Sequence, residues 1–580
     1  MKKAIAALFA LCLTGLVLAQ SPADTFVYQT YGEPVSLDPI RAYDTGSGTI
    51  IENVYETLYT YDGAAIDEFV PALATSHTVS EDGTTYTFQL RDGVQFHSGN
   101  TLTCRDVEYS FEYGLVTANS EGAVMYLMGD QLVGTQMTGE DPAAYQAEVS
   151  WEEIDQAAEC PEGDDGLVFE LNLTHPDPAL IAIITYTAFS VVDSQFAIEG
   201  GSWDGTEATW TEWIGRDLTQ EFLHTNMSGT GAYQLQAWNQ GESVVVQAFE
   251  NYWGGAPDIK NVVVEYVDEQ STRILALQQG DADRITLNER AALVQLRGAP
   301  GVVVHEDPSW APACVTAGFF NFDINTENNE DVGSGELDGS GIPSDFFADA
   351  NVRLAFSHLF DQQGYIEQIY DGEGVALTMG LPPSFLGYNE DIPIRTLDLE
   401  AAEGYFRKAF DGQLWEQGFE FTALYNAGNT LRQTVLQIIA DNLSFINPNF
   451  RMNVRSLPWA DFLTRTAEQK APMFVLGWCA DYADPRNFIN TFYDNDGYYS
   501  DRTSINVPSM QELIDQAEAI VDPAERAFLY RQVGVEHYET APLITIPAQS
   551  PFILTTDAVQ GVYFNPMLSA EFKWKDISKE

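Results

Sequence analysis

Basic residues are scarce in this 580-residue chain: 27 Lys and Arg stand against 86 Asp and Glu, a formal net charge of −59. A surface this acidic repels nucleic acid and anionic lipid, and the sequence holds no basic patch for either, so both are excluded as partners. Cysteine is also rare, at five residues, and none forms a CxxC pair. The seven His are scattered without ligand spacing, so no metal site is expected. Missing too are a GxSxG elbow, HExxH, GxxxxGK(S/T) and a Gly-rich dinucleotide fingerprint, which removes the usual marks of hydrolases, metalloproteases and nucleotide enzymes. No cofactor and no catalytic residue are expected. Acid pairs are too common here to single out a glycosidase pair, and there is no fixed-period repeat.

What is present is enough apolar material for packed cores. Hydrophobic content of 45% and aromatic content of 12% argue against the disorder that so high a charge would otherwise suggest. A single core stops growing at roughly 250–300 residues, so two or three subdomains are expected. The acid excess reads as adaptation to a salty habitat rather than as a site.

The N-terminus carries an export signal. Met1-Lys2-Lys3 is followed by an apolar stretch from Ala4 to Leu18, and Val17-Leu18-Ala19 offers small residues for cleavage before Gln20. The run is too short to span a bilayer, and no later stretch is apolar enough to do so. The only early cysteine, Cys12, lies inside the apolar run, so a lipid anchor is not expected. Loss of Lys2 and Lys3 takes the mature charge to −61. Four cysteines remain, Cys104, Cys160, Cys314 and Cys479, an even count that favours disulfides in an exported protein.

Thr84 to Leu90 alternates, with Tyr86, Phe88 and Leu90 on one face, as a half-buried strand does. Arg91-Asp92-Gly93 turns towards a second short strand, Val94 to Phe96. Thr103 with Asp106 has the form of a capping box, opening a helix with Val107, Phe111 and Leu115 on one face. From Asp130 to Gly166 the chain is acidic and turn-rich, an excursion on this small subdomain. A different grammar begins near Asn261: a strand from Val262 to Val267, a helix capped by Ser271 with Ile274, Leu275 and Leu277 inward, Gly280 to end it, and a strand from Ile285 to Leu287. Strand–helix–strand at this spacing implies a parallel sheet. The grammar recurs from Asp349, through a helix bearing Val352, Ala355, Phe356 and Leu359. Met473 to Trp478 is apolar on both faces, as a central buried strand is. Asn325 to Gly341 reads as an acidic solvated surface loop. Sequence alone allows three disulfide pairings; this organisation favours Cys104–Cys160 in one subdomain and Cys314–Cys479 in another.

Five landmarks recur in order: Ser36-Leu37-Asp38-Pro39; Glu81-Asp82-Gly83 running on to Phe111; Gly229-Thr230-Gly231-Ala232-Tyr233; Asn251-Tyr252-Trp253-Gly254-Gly255; and Gly477-Trp478-Cys479-Ala480-Asp481-Tyr482 followed by Asp484-Pro485. Together they resemble the family 5 extracellular solute-binding proteins, which include dipeptide- and oligopeptide-binding proteins. The resemblance covers essentially the whole mature chain. It implies an α/β, two-lobe periplasmic-binding-protein-like clamp of type II, with an extra subdomain on lobe one. By that analogy residues 20–58, 200–313 and 548–580 form lobe one, 59–199 the extra subdomain, and 314–547 lobe two. It also implies a monomer in the periplasmic or cell-envelope space that hands its ligand to ABC transporter permease subunits.

The site follows on two levels. Cys479 to Asp484 lies at the carboxyl end of a buried strand, where ligands of open α/β sheets bind, and a carboxylate flanked by Trp478 and Tyr482 suits a cationic amine. By resemblance, Asp481 takes the α-amino group of a peptide, the main chain of Gly477 and Cys479 pairs with it as an added strand, and Tyr43, Asp44 and Thr45 face it from lobe one. Some relatives carry an Arg two residues before the Gly of this motif; here that residue is Val475. The group that meets a peptide carboxylate is therefore open. A non-peptide solute, such as an oligosaccharide or another amine-bearing molecule, is the alternative ligand, and a secreted hydrolase the alternative of another class.

Overall fold

The structure is a computed structural model that describes residues 22–580 except 288, 289, 308, 496 and 521. The expected export signal and its cleavage point lie outside the described residues. Two mixed sheets organise the chain. The first has seven strands, in the order 302–305, 553–556, 284–285, 25–30, 261–266, 243–248 and 233–239. Thr25–Thr30 lies inside it, parallel to both Asn261–Tyr266 and Arg284–Ile285. The valine run of Asn261–Tyr266 alternates, with Val262 and Val264 buried, and Val244 and Val246 of the adjacent antiparallel strand match it.

The helix linking two of these strands spans Gln270–Gln279, and Gly280 ends it in the left-handed conformation at φ 78°. Its N-cap is Glu269 rather than Ser271, without a side-chain bond. Ile274 and Leu277 are buried, but Leu275 is 52% exposed, because one residue past Ile274 turns about 100° away from the buried stripe. The strand beyond the helix is the two-residue Arg284–Ile285.

The second sheet runs 450–457, 419–426, 473–479, 314–320, 543–546. Met473–Cys479 is its central strand, buried from Met473 to Leu476 and open towards Cys479. Asp349 caps the helix Ala350–Ser357, whose Val352, Ala355 and Phe356 enter this unit's core with the following Leu359. Asn325 to Gly341 is not wholly solvated. Asp331 within it is buried and bridged by Arg455 at 2.6 Å and Arg465 at 2.8 Å, since a carboxylate taken out of water needs such partners.

A four-stranded sheet, ordered 74–79, 85–90, 168–172, 158–159, carries the smaller unit. Thr85–Leu90 buries Tyr86, Phe88 and Leu90, and Thr103 with Asp106 forms the capping box of the helix Cys104–Thr117. Val94 and Phe96 are buried but build no strand; only Gln95 bridges, to Thr101. The acidic excursion holds two short helices, Pro142–Glu148 capped by Asp141 and Trp151–Ala157 capped by Ser150, and Cys160 at its end is bonded to Cys104.

The chain passes between the two large sheets twice, from Val302–His305 to Cys314–Phe320 and from Leu543–Ile546 to Ile553–Thr556. Other contacts join the parts. Arg486, opening the helix after Asp484-Pro485, pairs at 2.7 Å with the fully buried Asp177, and the Tyr126 ring lies 6.2 Å from that of Trp478. Arg290 and Arg297 both bind Glu373 near the crossings.

Candidate ligand-binding cleft

Between the two large sheets lies a cleft of about 1010 Å³. One wall is the end of the central strand. Cys314 and Cys479 face each other across the antiparallel pair with Cα atoms 4.0 Å apart, the close spacing of a pair that exchanges no main-chain hydrogen bonds. The main-chain groups of Cys479, and of Gly477 two residues earlier, therefore point to the strand's other edge. There the parallel strand Phe419–Asn426 pairs only with Met473 and Phe474, so the edge from Gly477 to Cys479 has no neighbouring strand. The Gly477 carbonyl accepts from the Tyr499 hydroxyl at 2.9 Å. A Cβ at this position would crowd the Thr316 hydroxyl at 2.9 Å and the Val315 carbonyl at 3.1 Å, so a larger residue would need its neighbours to shift.

Just beyond this edge Asp481 enters the cleft. Asn487 holds it by two bonds, its amide donating to the carboxylate at 3.0 Å and its oxygen accepting from the Asp481 N–H at 3.1 Å. The same oxygen accepts from the Trp478 indole at 3.1 Å, so one side chain fixes both residues. From the opposite wall the Tyr43 phenol lies beside the carboxylate, and each group shifts the other's pKa. Burial nevertheless raises the Asp481 pKa to about 6, partly offset by Asn487 and Tyr43. No basic side chain faces it among the described residues. Asp44 caps the helix Thr45–Val54, accepting from the Ser47 N–H at 2.9 Å. Tyr43 packs edge-on against Tyr186 at 6.0 Å, and burial, followed by the Asp481 and Asp44 charges, pushes the Tyr186 phenol up. A second chamber of about 410 Å³ adjoins the cleft, with Asp481 and Tyr186 on the wall of both.

The family description "Bacterial extracellular solute-binding proteins, family 5 Middle" matches residues 68–500, about three quarters of the chain. The chain belongs to this family. It is 24% identical to the dipeptide-binding protein of Escherichia coli K12 over 577 residues, covering 96% of this chain and 95% of that protein. Among solved structures it is similar to the periplasmic binding protein DppA of Helicobacter pylori in complex with the peptide STSA, with a TM-score of 0.70 and 23% identity over 96% of this chain and 98% of that one. It is also similar to AgaA from A.tumefacien R10 in complex with agropinic acid, with a TM-score of 0.68 and 20% identity over 96% and 99% of the two chains. The fold is that of the periplasmic binding proteins, and the relatives are substrate-binding proteins rather than enzymes.

Within this family member, seven of the residues singled out in the sequence line one cleft: Tyr43, Asp44, Thr45, Gly477, Trp478, Cys479 and Asp481. Tyr482 does not join them. It is 6% exposed and turns, as the residue after Asp481, to a separate cavity of about 500 Å³ shared with Arg486 and His175. Both disulfides, Cys104–Cys160 and Cys314–Cys479, are present, and the second lies on the cleft wall. Asn487 and Tyr186 were not among the expected residues. Asn487 had a signal: it is a polar residue beside Phe488 and Ile489, right behind Asp484-Pro485, on a helix whose neighbours are buried. Tyr186 had none, because its place at the cleft depends on how distant segments pack.

Proposed function

We propose that this protein is the exported capture component of an ABC importer, taking up a short peptide with a free N-terminus and delivering it to membrane permease subunits. It works as a soluble monomer of the periplasmic or cell-envelope space. Residues 20–58, 200–313 and 548–580 act as one lobe, 59–199 as its extra subdomain and 314–547 as the second lobe, closing on the ligand about the two crossings. The observation that carries this reading is Asp481, a desolvated carboxylate with no basic partner among the described residues, set beside an unpaired strand edge. A peptide supplies an ammonium for the carboxylate and a main chain for the strand edge, where among the described residues only the Gly477 carbonyl has a partner, the Tyr499 hydroxyl. Apolar Val475, where some relatives carry Arg, favours as a second reading a non-peptide solute, an oligosaccharide or another amine-bearing molecule.

Native mass spectrometry of the protein purified without denaturation tests the assignment. A bound series of short peptides is the expected result; a bound sugar or opine would overturn it in favour of the second reading.

The pH dependence has a defined sign. The ammonium binds the ionised form of Asp481, whose pKa in the free protein is about 6. Affinity is therefore full above pH 7 and falls as pH drops through that value, to roughly a tenth at pH 5. Calorimetry at the two pH values checks this, and a flat profile would contradict it.

A further inference from the structure

The charges lining the cleft are one-sided. Asp44, Asp481 and Glu571 contribute carboxylates, and the only basic group among the described lining residues is Arg284. That guanidinium is not available to a ligand. It is 4% exposed, donates to Glu571 and to the Ala570 carbonyl at 2.5 Å each, and lies over the Tyr28 and Phe572 rings. The lysines of the adjoining chamber are also engaged, Lys573 with the Glu52 carbonyl at 2.6 Å and Lys575 with Asp576 at 2.6 Å. Val475 is fully buried and apolar. Among the described residues lining these two chambers, a ligand carboxylate thus finds no cation without a partner.

Asp44 adds the complementary observation. One of its oxygens caps the helix through Ser47, while the other is buried with no hydrogen-bond donor. A buried carboxylate oxygen left without a donor is costly, and a ligand cation removes that cost. Asp44 follows directly on Tyr43, whose phenol lies beside Asp481, and the Tyr186 phenol feels both charges. Both carboxylates line the same cleft, which Tyr43 and Tyr186 also wall.

We infer that the cleft selects cationic peptides: the α-ammonium meets Asp481, a basic side chain meets the free oxygen of Asp44, and the terminal carboxylate is left unread. This rests on the peptide reading above and narrows it to a substrate class.

Calorimetry on the full mature chain tests it with Ala-Ala-Ala, its C-terminal amide, and the three peptides carrying one Lys in place of one Ala. At least one lysine peptide is expected to bind fivefold or more tightly than Ala-Ala-Ala, and amidation is expected to cost less than fivefold. Asp44→Asn, which keeps a good helix cap, should reduce the lysine advantage to under half. The inference is overturned if no lysine peptide gains fivefold, if amidation costs fivefold or more, or if the advantage survives Asp44→Asn. Failure of the peptide reading looks different: none of the probes binds, and the inference falls with it.

Discussion

Replacing Asp481 by Asn is expected to weaken binding of a free-amine tripeptide by roughly thirty- to several-thousand-fold, the equivalent of about 2–5 kcal/mol. In the proposed closed complex the ligand ammonium is buried, and without its carboxylate that group keeps most of its desolvation cost. The substitution preserves shape, so it isolates the electrostatic contribution. It does not act by unfolding the protein. A carboxyl group whose pKa is raised to about 6 carries a desolvated charge at neutral pH that opposes folding once pH exceeds its ordinary value near 3.8. Asn removes that charge, so the thermal midpoint of the unliganded variant at pH 7 should hold or rise while affinity collapses. Calorimetry and a melting curve on the same sample separate the two effects. A loss of less than tenfold would contradict the role given to Asp481.

Removing the Cys314–Cys479 bridge is expected to cost on the order of 5 kcal/mol of stability. Its sequence separation is 165 residues, and in the chain-entropy treatment a bridge this long removes much freedom from the unfolded chain. It joins the strand entering the five-stranded sheet from the first crossing to the strand that ends at the cleft. Urea unfolding of the double Cys→Ser variant, followed by a probe in this unit such as Trp478, gives the value; a loss below about 1 kcal/mol would contradict it. The Cys104–Cys160 bridge has a separation of 56 and the smaller expected effect.

Local chemistry was legible where the sequence itself closes the argument. Thr103 and Asp106 form their capping box with bonds only three residues apart, and the doubly apolar Met473–Leu476 reads as an inner strand and is one. Errors arose where a long-range partner decides. Asp331 reads as a solvated loop acid until Arg455 and Arg465, more than a hundred residues away, are folded against it. Tyr482 stands in the motif next to Asp481, yet the chain turns between them and sends the two side chains into different cavities. Tyr186 and the free oxygen of Asp44 are visible only in the assembled cleft, since neither lies near the Gly477–Asp481 segment in sequence.

The central claim is that a ligand ammonium anchors at Asp481. Calorimetry on the unmodified protein at pH 7, with a tripeptide in its free and N-acetylated forms, tests this most directly. The free peptide is expected to bind at least thirtyfold more tightly, and acetylation should have little effect on Asp481→Asn, whose partner is already gone. Equal binding of the two peptides by the unmodified protein would contradict it.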